Sequence, residues 1–293
     1  MATTSKNTFL ITGVYGLIGT ALYNRLSTDA RYNIIFCDHN LITEKEKIGR
    51  LIFGWRPQYI IHLAGFNGGI EFNLKYPAEI FYKNTVMTLN LLEETKIVRQ
   101  NETDYNPKII LPISSCALES KDILYAEDIL SGQPHKTVAC HGYAKRNSQI
   151  AAKYYFEQYG LDVVTFCIPN TYGPEDRLEK ERCKVVGALI IKILEAKKNN
   201  LPQVECWGDG SPLRHLAYSK DIAEFIVNDV IYYEDHNVPL NYTGGTAVSI
   251  RELADTIKKI SGYEGEIVWD TTKPNGQMRK YLHNPISPRI HFT

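Results

Sequence analysis

His141 and Lys145 stand four residues apart in Cys140-His141-Gly142-Tyr143-Ala144-Lys145. That spacing puts two side chains one turn apart on the same face of a helix. An imidazole with an ordinary pKa of about 6.5 can donate a proton to a developing alkoxide near neutral pH, and a nearby ammonium favours its neutral form. Tyr143 offers a phenol, but it lies only two residues from Lys145 and so points about 200° away around the helix. Upstream, Ser114-Ser115-Cys116 closes an apolar stretch. A thiol with an ordinary pKa of about 8.5 becomes a proton carrier once its surroundings lower that value. Lys184, in Cys183-Lys184-Val185-Val186-Gly187, would act as an acid or base only if desolvation or a neighbouring charge lowered its pKa by several units. Otherwise it is a solvated loop lysine.

These groups need a scaffold, and the N-terminal half supplies its pattern. Gly13-Val-Tyr15-Gly16-Leu17-Ile18-Gly19 follows the apolar run Thr8-Phe-Leu-Ile-Thr and opens a helix expected over 17–26. Glycines at this spacing allow a tight turn, close approach of backbone to a pyrophosphate and close helix–strand packing, while the helix N-terminus offers N–H donors. Strand signals recur at 32–38, 59–64, 108–115 and 162–168, with long helices expected over 77–99 and 141–159. Buried parallel strands separated by helices make an α/β, Rossmann-type doubly wound sheet. Asp38 closes the second strand, where a carboxylate can accept from an adenine-ribose diol and repel a 2′-phosphate. The glycine loop carries no arginine. NAD(H) is therefore the favoured cofactor, with NADP(H) the alternative.

After Pro174 the pattern loosens into a charged loop over 175–182, then helices over 185–198 and 249–261. Residues 1–174 read as the dinucleotide-binding domain and 175–293 mainly as a smaller substrate-binding lobe. Pro239-Leu-Asn-Tyr-Thr-Gly-Gly245 reads as a strand returning to the main sheet.

The 33 basic residues balance 33 acidic ones and the pI is about 7.1. Bulk charge therefore proposes neither a nucleic-acid nor an anionic-membrane partner, and a small, individually recognised ligand fits better. No apolar run reaches the length of a membrane span, so a cytosolic chain is expected. The six cysteines lack CxxC spacing, which points away from a metal centre and towards reduced core residues.

Several stretches together resemble the extended short-chain dehydrogenase/reductases, and within them the GDP-L-fucose synthase group. They are His62-Leu63-Ala64-Gly65-Phe-Asn-Gly-Gly-Ile70, Tyr76-Pro-Ala-Glu-Ile-Phe-Tyr-Lys-Asn84, Ser114-Ser115-Cys116, Asn170-Thr-Tyr-Gly-Pro174, Trp207-Gly-Asp-Gly-Ser-Pro-Leu-Arg214, Ser249-Ile-Arg-Glu-Leu-Ala254 and Thr272-Lys-Pro-Asn-Gly-Gln-Met-Arg279-Lys280. The likeness runs from the first strand to about Lys280. In such enzymes a GDP-4-keto-6-deoxy-mannose is epimerised at C3 and C5, and its C4 ketone is then reduced by hydride transfer.

The resemblance implies that Ser115 bonds the C4 oxygen, that Cys116 relays a proton during epimerisation, and that Lys145 bonds the nicotinamide ribose. Leu63, Ala64, Gly65, Ile168 and Asn170 would touch the cofactor, with Asn170 also reaching substrate. Lys192 and Arg214 would hold the GDP diphosphate, Trp207 would pack near the base or ribose, and Arg279 and Lys280 would close the pocket. Two departures stand out. His141 occupies the position of the family's tyrosine, and Lys184 that of its second epimerisation acid/base, a histidine. The chain also stops soon after Lys280, where the family continues through a further strand and helix.

The expected activity is that of a nucleotide-sugar epimerase, reductase or both, acting on a GDP-linked 4-keto sugar. The alternatives are an epimerase without net hydride transfer and a catalytically retired nucleotide-binding subunit. A homodimer through the helices starting near Pro77 and His141 is also expected, with Leu89, Leu92, Ile150 and Tyr154 at near-helical spacing.

Overall fold

Along β1 (Asn7–Thr12), Phe9 and Ile11 face one side of the sheet and Leu10 the other, and all three are buried. A strand apolar on both faces must be covered on both, which calls for a layer of helices above and below. The computed structural model, which describes residues 6–37, 43–176, 178–279 and 281–283, has that arrangement.

In chain order the first half runs β1, α1 (Leu17–Ser27), β2 (Tyr32–Cys37), α2 (Lys45–Trp55), β3 (Tyr59–His62), α3 (Ile70–Lys75), α4 (Pro77–Asn101), β4 (Lys108–Ser114), β5 (Ile123–Tyr125), α5 (Ala139–Tyr159) and β6 (Val163–Ile168). The second half runs β7 (Asn170–Tyr172), α6 (Val185–Lys198), β8 (Gln203–Trp207), β9 (Leu213–Tyr218), α7 (Ser219–Asn228), β10 (Leu240–Asn241), β11 (Thr246–Ser249), α8 (Ile250–Ser261), β12 (Glu266–Asp270) and β13 (Tyr281–His283). The main sheet is parallel throughout, in the order β10-β6-β4-β3-β1-β2. On one face α1 and α7 pack Leu22, Leu26, Ile222 and Ile226 against Phe9 and Phe166. On the other, α2, α4 and α5 pack Ile52, Leu91 and Ala152 against Leu10, Ile60 and Leu111.

Two further sheets build the substrate side. The first orders its strands β11-β9-β7, and the second pairs β8 with β12 beneath α6 and α8 around Leu189, Ile193, Val204 and Ala254. Helix α8 opens on a capping box, in which Ser249 and Glu252 exchange hydrogen bonds with each other's backbone N–H groups.

The strand expected over 239–245 is divided. Leu240–Asn241 joins the main sheet beside β6, and the chain then turns at Gly245 (φ +99) into β11, which runs antiparallel to β9. Only glycine adopts that φ without strain, so the turn cuts one apolar run into two short strands. Helices α2, α3 and α7 and the parallel pairs β5/β13 and β8/β12 were not expected.

Candidate active site

One cleft of about 1110 Å³ opens at the C-terminal ends of the main strands, where parallel sheets bind ligands. Its floor is the turn after β1. Gly13 has φ +70, and a Cβ there would lie 2.5 Å from the backbone nitrogen of Ala64. At Gly19 a Cβ would lie 2.1 Å from the carbonyl oxygen of Gly13. The turn therefore packs backbone on backbone, and Gly16, in extended conformation, caps α1 with no acidic residue in the helix's first turn. The amides of Leu17, Ile18 and Gly19 have no carbonyl partner within the helix and suit a pyrophosphate. Gly13 and Tyr15 to Gly19 line the cleft, as do Leu63, Ala64 and Gly65.

Buried polar groups hold this floor in place. The Thr12 hydroxyl accepts the Ala64 N–H at 3.2 Å and shares a 2.8 Å hydrogen bond with His62 Nδ1, tying the end of β1 to the loop after β3. Burial, and secondarily the Lys145 ammonium, pushes the His62 imidazole down to about 3, so it stays neutral. The next stretch of wall, residues 66–69, is clasped by two asparagines. Asn84 accepts the Phe66 N–H at 3.1 Å and donates to the Phe66 carbonyl at 2.7 Å. Asn73 donates to the carbonyls of Gly68 and Gly69 and to Asn67 Oδ1, and receives the Cys140 thiol.

His141 and Lys145 project from the first two turns of α5, both buried and both lining the cleft. Burial pushes the Lys145 ammonium down to about 8, and Lys184 adds a repulsive contribution, which places the two lysines within electrostatic reach of each other. Tyr143 turns away from the cleft to sit near Arg146, as the spacing requires. Lys184 caps the start of α6 and also lines the cleft, with Cys116, Ile168 and Asn170 on the adjoining wall.

The serine assignment changes. Ser114, not Ser115, borders the cleft, because the chain leaves β4 in a 3-10 turn that buries Ser115 and leaves Ser114 at the strand end, its hydroxyl accepting the Cys116 N–H at 3.2 Å.

Arg214, Lys192 and Trp207 line the far side together with Asn275 and Gln277. The Arg214 guanidinium is buried and, among the described residues, has no carboxylate partner. It donates to the carbonyls of Leu213, Gln277 and Asn275, which leaves Nε–H and one Nη2–H for phosphate oxygens. Burial lowers its pKa without discharging it. Lys192 Nζ reaches the Glu205 carbonyl at 3.1 Å. Arg279 does not close the pocket: it is exposed and is not part of the cleft wall. Asp38 and Lys280 lie outside the described residues. Among the described residues no cluster of His, Cys, Asp and Glu is arranged to hold a metal, and no helix is long and apolar enough to cross a membrane.

The profile of the NAD dependent epimerase/dehydratase family matches residues 9–230. The chain belongs to this family. Within it, the chain is 30% identical to the GDP-L-fucose synthase of Dictyostelium discoideum over 307 residues, covering 99% of this chain and 92% of that protein. It is also 30% identical to the GDP-L-colitose synthase of Yersinia pseudotuberculosis, covering 94% and 89%. The crystal structure of a GDP-L-fucose synthetase from Naegleria fowleri bound to NADP superposes with a TM-score of 0.83 at 26% identity, covering 97% of this chain and 86% of that one. The chain combines a glycine-rich turn with a cationic far wall in one cleft, and a nicotinamide cofactor fits the glycine floor.

The asparagine clasp, the Thr12–His62 pair and Ser114 escaped the sequence reading. Asn84 stood inside one of the motifs, but only the fold shows that it grips a loop 18 residues away.

Proposed function

We propose that the protein is a nicotinamide-dependent enzyme acting on a GDP-linked 4-keto hexose or heptose, exchanging protons beside the ketone and reducing C4. The observation that carries this reading is a single cleft in which the cradle at Gly13 to Gly19 meets Cys116, His141, Lys145, Lys184 and Arg214. The names of its relatives, GDP-L-fucose and GDP-L-colitose synthases, support a GDP sugar.

The cofactor held along α1 would supply the hydride to C4. Lys145 bonds its ribose. His141 passes a proton to the oxygen that forms at C4, with the Ser114 hydroxyl positioning that oxygen. Before reduction, Cys116 as thiolate removes a proton from the carbon beside the ketone. Lys184 faces the cleft as the group that returns a proton and steadies the negative charge left on the C4 oxygen. Arg214 and Lys192 take the diphosphate and Trp207 the nucleoside. An epimerase without net hydride transfer is the second reading, favoured by Cys116 and Lys184 sharing the cleft while the reductase tyrosine is replaced.

NAD(H) is the cofactor we favour, because the sequence sets Asp38 directly after Cys37 and the glycine loop lacks arginine; the Naegleria relative bound NADP. We place the division between dinucleotide and sugar halves near residue 174, and the protein in the cytosol. A homodimer through α4 and α5 would cover the exposed Leu89 and Tyr154, whereas Leu92 is committed to the core.

The test is oxidation of the reduced cofactor on adding GDP-4-keto-6-deoxy-mannose, with GDP competing and UDP not. No oxidation, or equal competition by UDP, would overturn the assignment.

A further inference from the structure

Residues 180–184 form a strap along the cleft, and Lys184 at its end enters α6 in extended conformation. Three consecutive residues of the strap grip the wall formed by residues 66–76. The Glu181 carboxylate accepts from Lys75 Nζ at 2.7 Å and from the Tyr76 hydroxyl at 3.0 Å. The Arg182 guanidinium lies over the rings of Phe66 and Phe72, 5.2 and 5.7 Å from their centroids, and those two centroids are 5.3 Å apart. The Cys183 carbonyl packs against Gly69 so closely that a Cβ there would lie 2.7 Å from its oxygen.

The two sides of this contact differ in how firmly they are held. Phe72 is buried, and Asn84 grips the N–H and the carbonyl of Phe66, so the aromatic wall is fixed from α4. On the strap, Lys75 and Glu181 are both more than half exposed, which leaves their ion pair weak in water. Arg182 makes only a long ion pair, 3.9 Å, with Glu179, and its Nε finds no hydrogen-bond partner among the described residues. The two rings are therefore what holds the guanidinium in place.

We infer that Arg182, assisted by Glu181, is a positioning residue that clamps the strap to the aromatic wall and so aims Lys184 into the cleft. The inference rests on the proton-exchange role proposed for Lys184 and says what makes that role possible. The Lys184 carbonyl already accepts the Ala188 N–H at 2.8 Å, so α6 fixes its backbone on one side and the clamp fixes it on the other. A long, flexible lysine side chain meets a carbon beside a ketone productively only when its own backbone is held, because small misplacements of a reacting group are costly.

The test compares the native protein with Arg182→Met, Arg182→Lys, Glu181→Gln, Lys184→Met and the Arg182→Met/Lys184→Met double variant. Deuterium uptake by GDP-4-keto-6-deoxy-mannose in heavy water is measured at saturating sugar, with KM for the sugar and calorimetric binding of NADH alongside. Arg182→Met should lower the maximal rate of uptake by about tenfold or more, with KM and NADH affinity changed less than about twofold. Arg182→Lys, which keeps a cation over the rings, should recover most of that loss, and Glu181→Gln should cause a smaller loss of the same kind. Adding Arg182→Met to Lys184→Met should cost nothing further, because the first acts through the second. Should Arg182→Met fail to fold, Glu181→Gln decides by the same readouts, its side chain being exposed. Unchanged uptake in the clamp variants, a rise in KM alone, or losses from Arg182→Met and Lys184→Met that add together would overturn the clamp and leave the proton-exchange reading intact. No uptake by the native protein would overturn that reading and this inference with it.

Discussion

Replacing Lys145 by methionine should make the cofactor-free protein more stable while weakening its grip on the cofactor. The lysine is buried in the first turns of α5, and its pKa falls from 10.5 to about 8, mainly through desolvation and secondarily through Lys184. At about 1.4 kcal/mol for each tenfold change in proton affinity, that depression corresponds to about 3 kcal/mol, an upper bound on what the buried charge costs. The sign follows from proton counting. Below a pH of about 8 both folded and unfolded chains hold the proton, and the folded state bears the full penalty. Between about 8 and the unfolded value of about 10.4 the unfolded chain binds more protons, so the native protein gains stability as pH rises. Lys145→Met should therefore exceed the native protein in stability by up to about 3 kcal/mol at neutral pH, and the gap should close towards pH 10. Urea unfolding of both proteins at several pH values measures this, with calorimetry of NADH binding alongside. A variant less stable than native at neutral pH, or a gap that ignores pH, would refute the argument that this ammonium is held in the cleft at the expense of stability.

Three further outcomes follow from the site. His141→Ala should lower kcat for keto-sugar reduction by about 10² to 10⁴, measured by oxidation of the reduced cofactor. Gly19→Ala would push a methyl to within 2.1 Å of the Gly13 carbonyl oxygen, so the turn must open and dinucleotide affinity, read by calorimetry, should fall at least about tenfold. Asn84→Ala strips both backbone partners from Phe66 and should cost about 1 to 3 kcal/mol in thermal or urea unfolding while raising the KM for the sugar more than it lowers kcat.

The main sheet was legible because fully buried parallel strands stand out as unbroken apolar runs between helices, and β6 with all its residues buried is the plainest example. The His141–Lys145 pair was legible for the same kind of reason, since a helical period is a local rule. Ser114 was not, because which of two adjacent hydroxyls reaches the cleft depends on how β4 bends into a 3-10 turn. The pairs β5/β13 and β8/β12 join short segments far apart in the chain, and strands of three to five residues carry too little pattern to announce a distant partner. Arg279 shows the limit of motif transfer: its neighbours Asn275 and Gln277 line the cleft, while its own side chain faces solvent.

Incubation of the protein with GDP-4-keto-6-deoxy-mannose and reduced nicotinamide cofactor in heavy water, followed by NMR of the sugar and absorbance of the cofactor, tests the proposed chemistry most directly. Deuterium at C3 or C5 together with loss of the reduced cofactor is the predicted result, with Cys116→Ala abolishing the first and His141→Ala suppressing the second. Deuterium without cofactor loss would reduce the activity to epimerisation alone. Neither signal, from protein that still binds the dinucleotide, would contradict the catalytic reading and leave a nucleotide-binding subunit in its place.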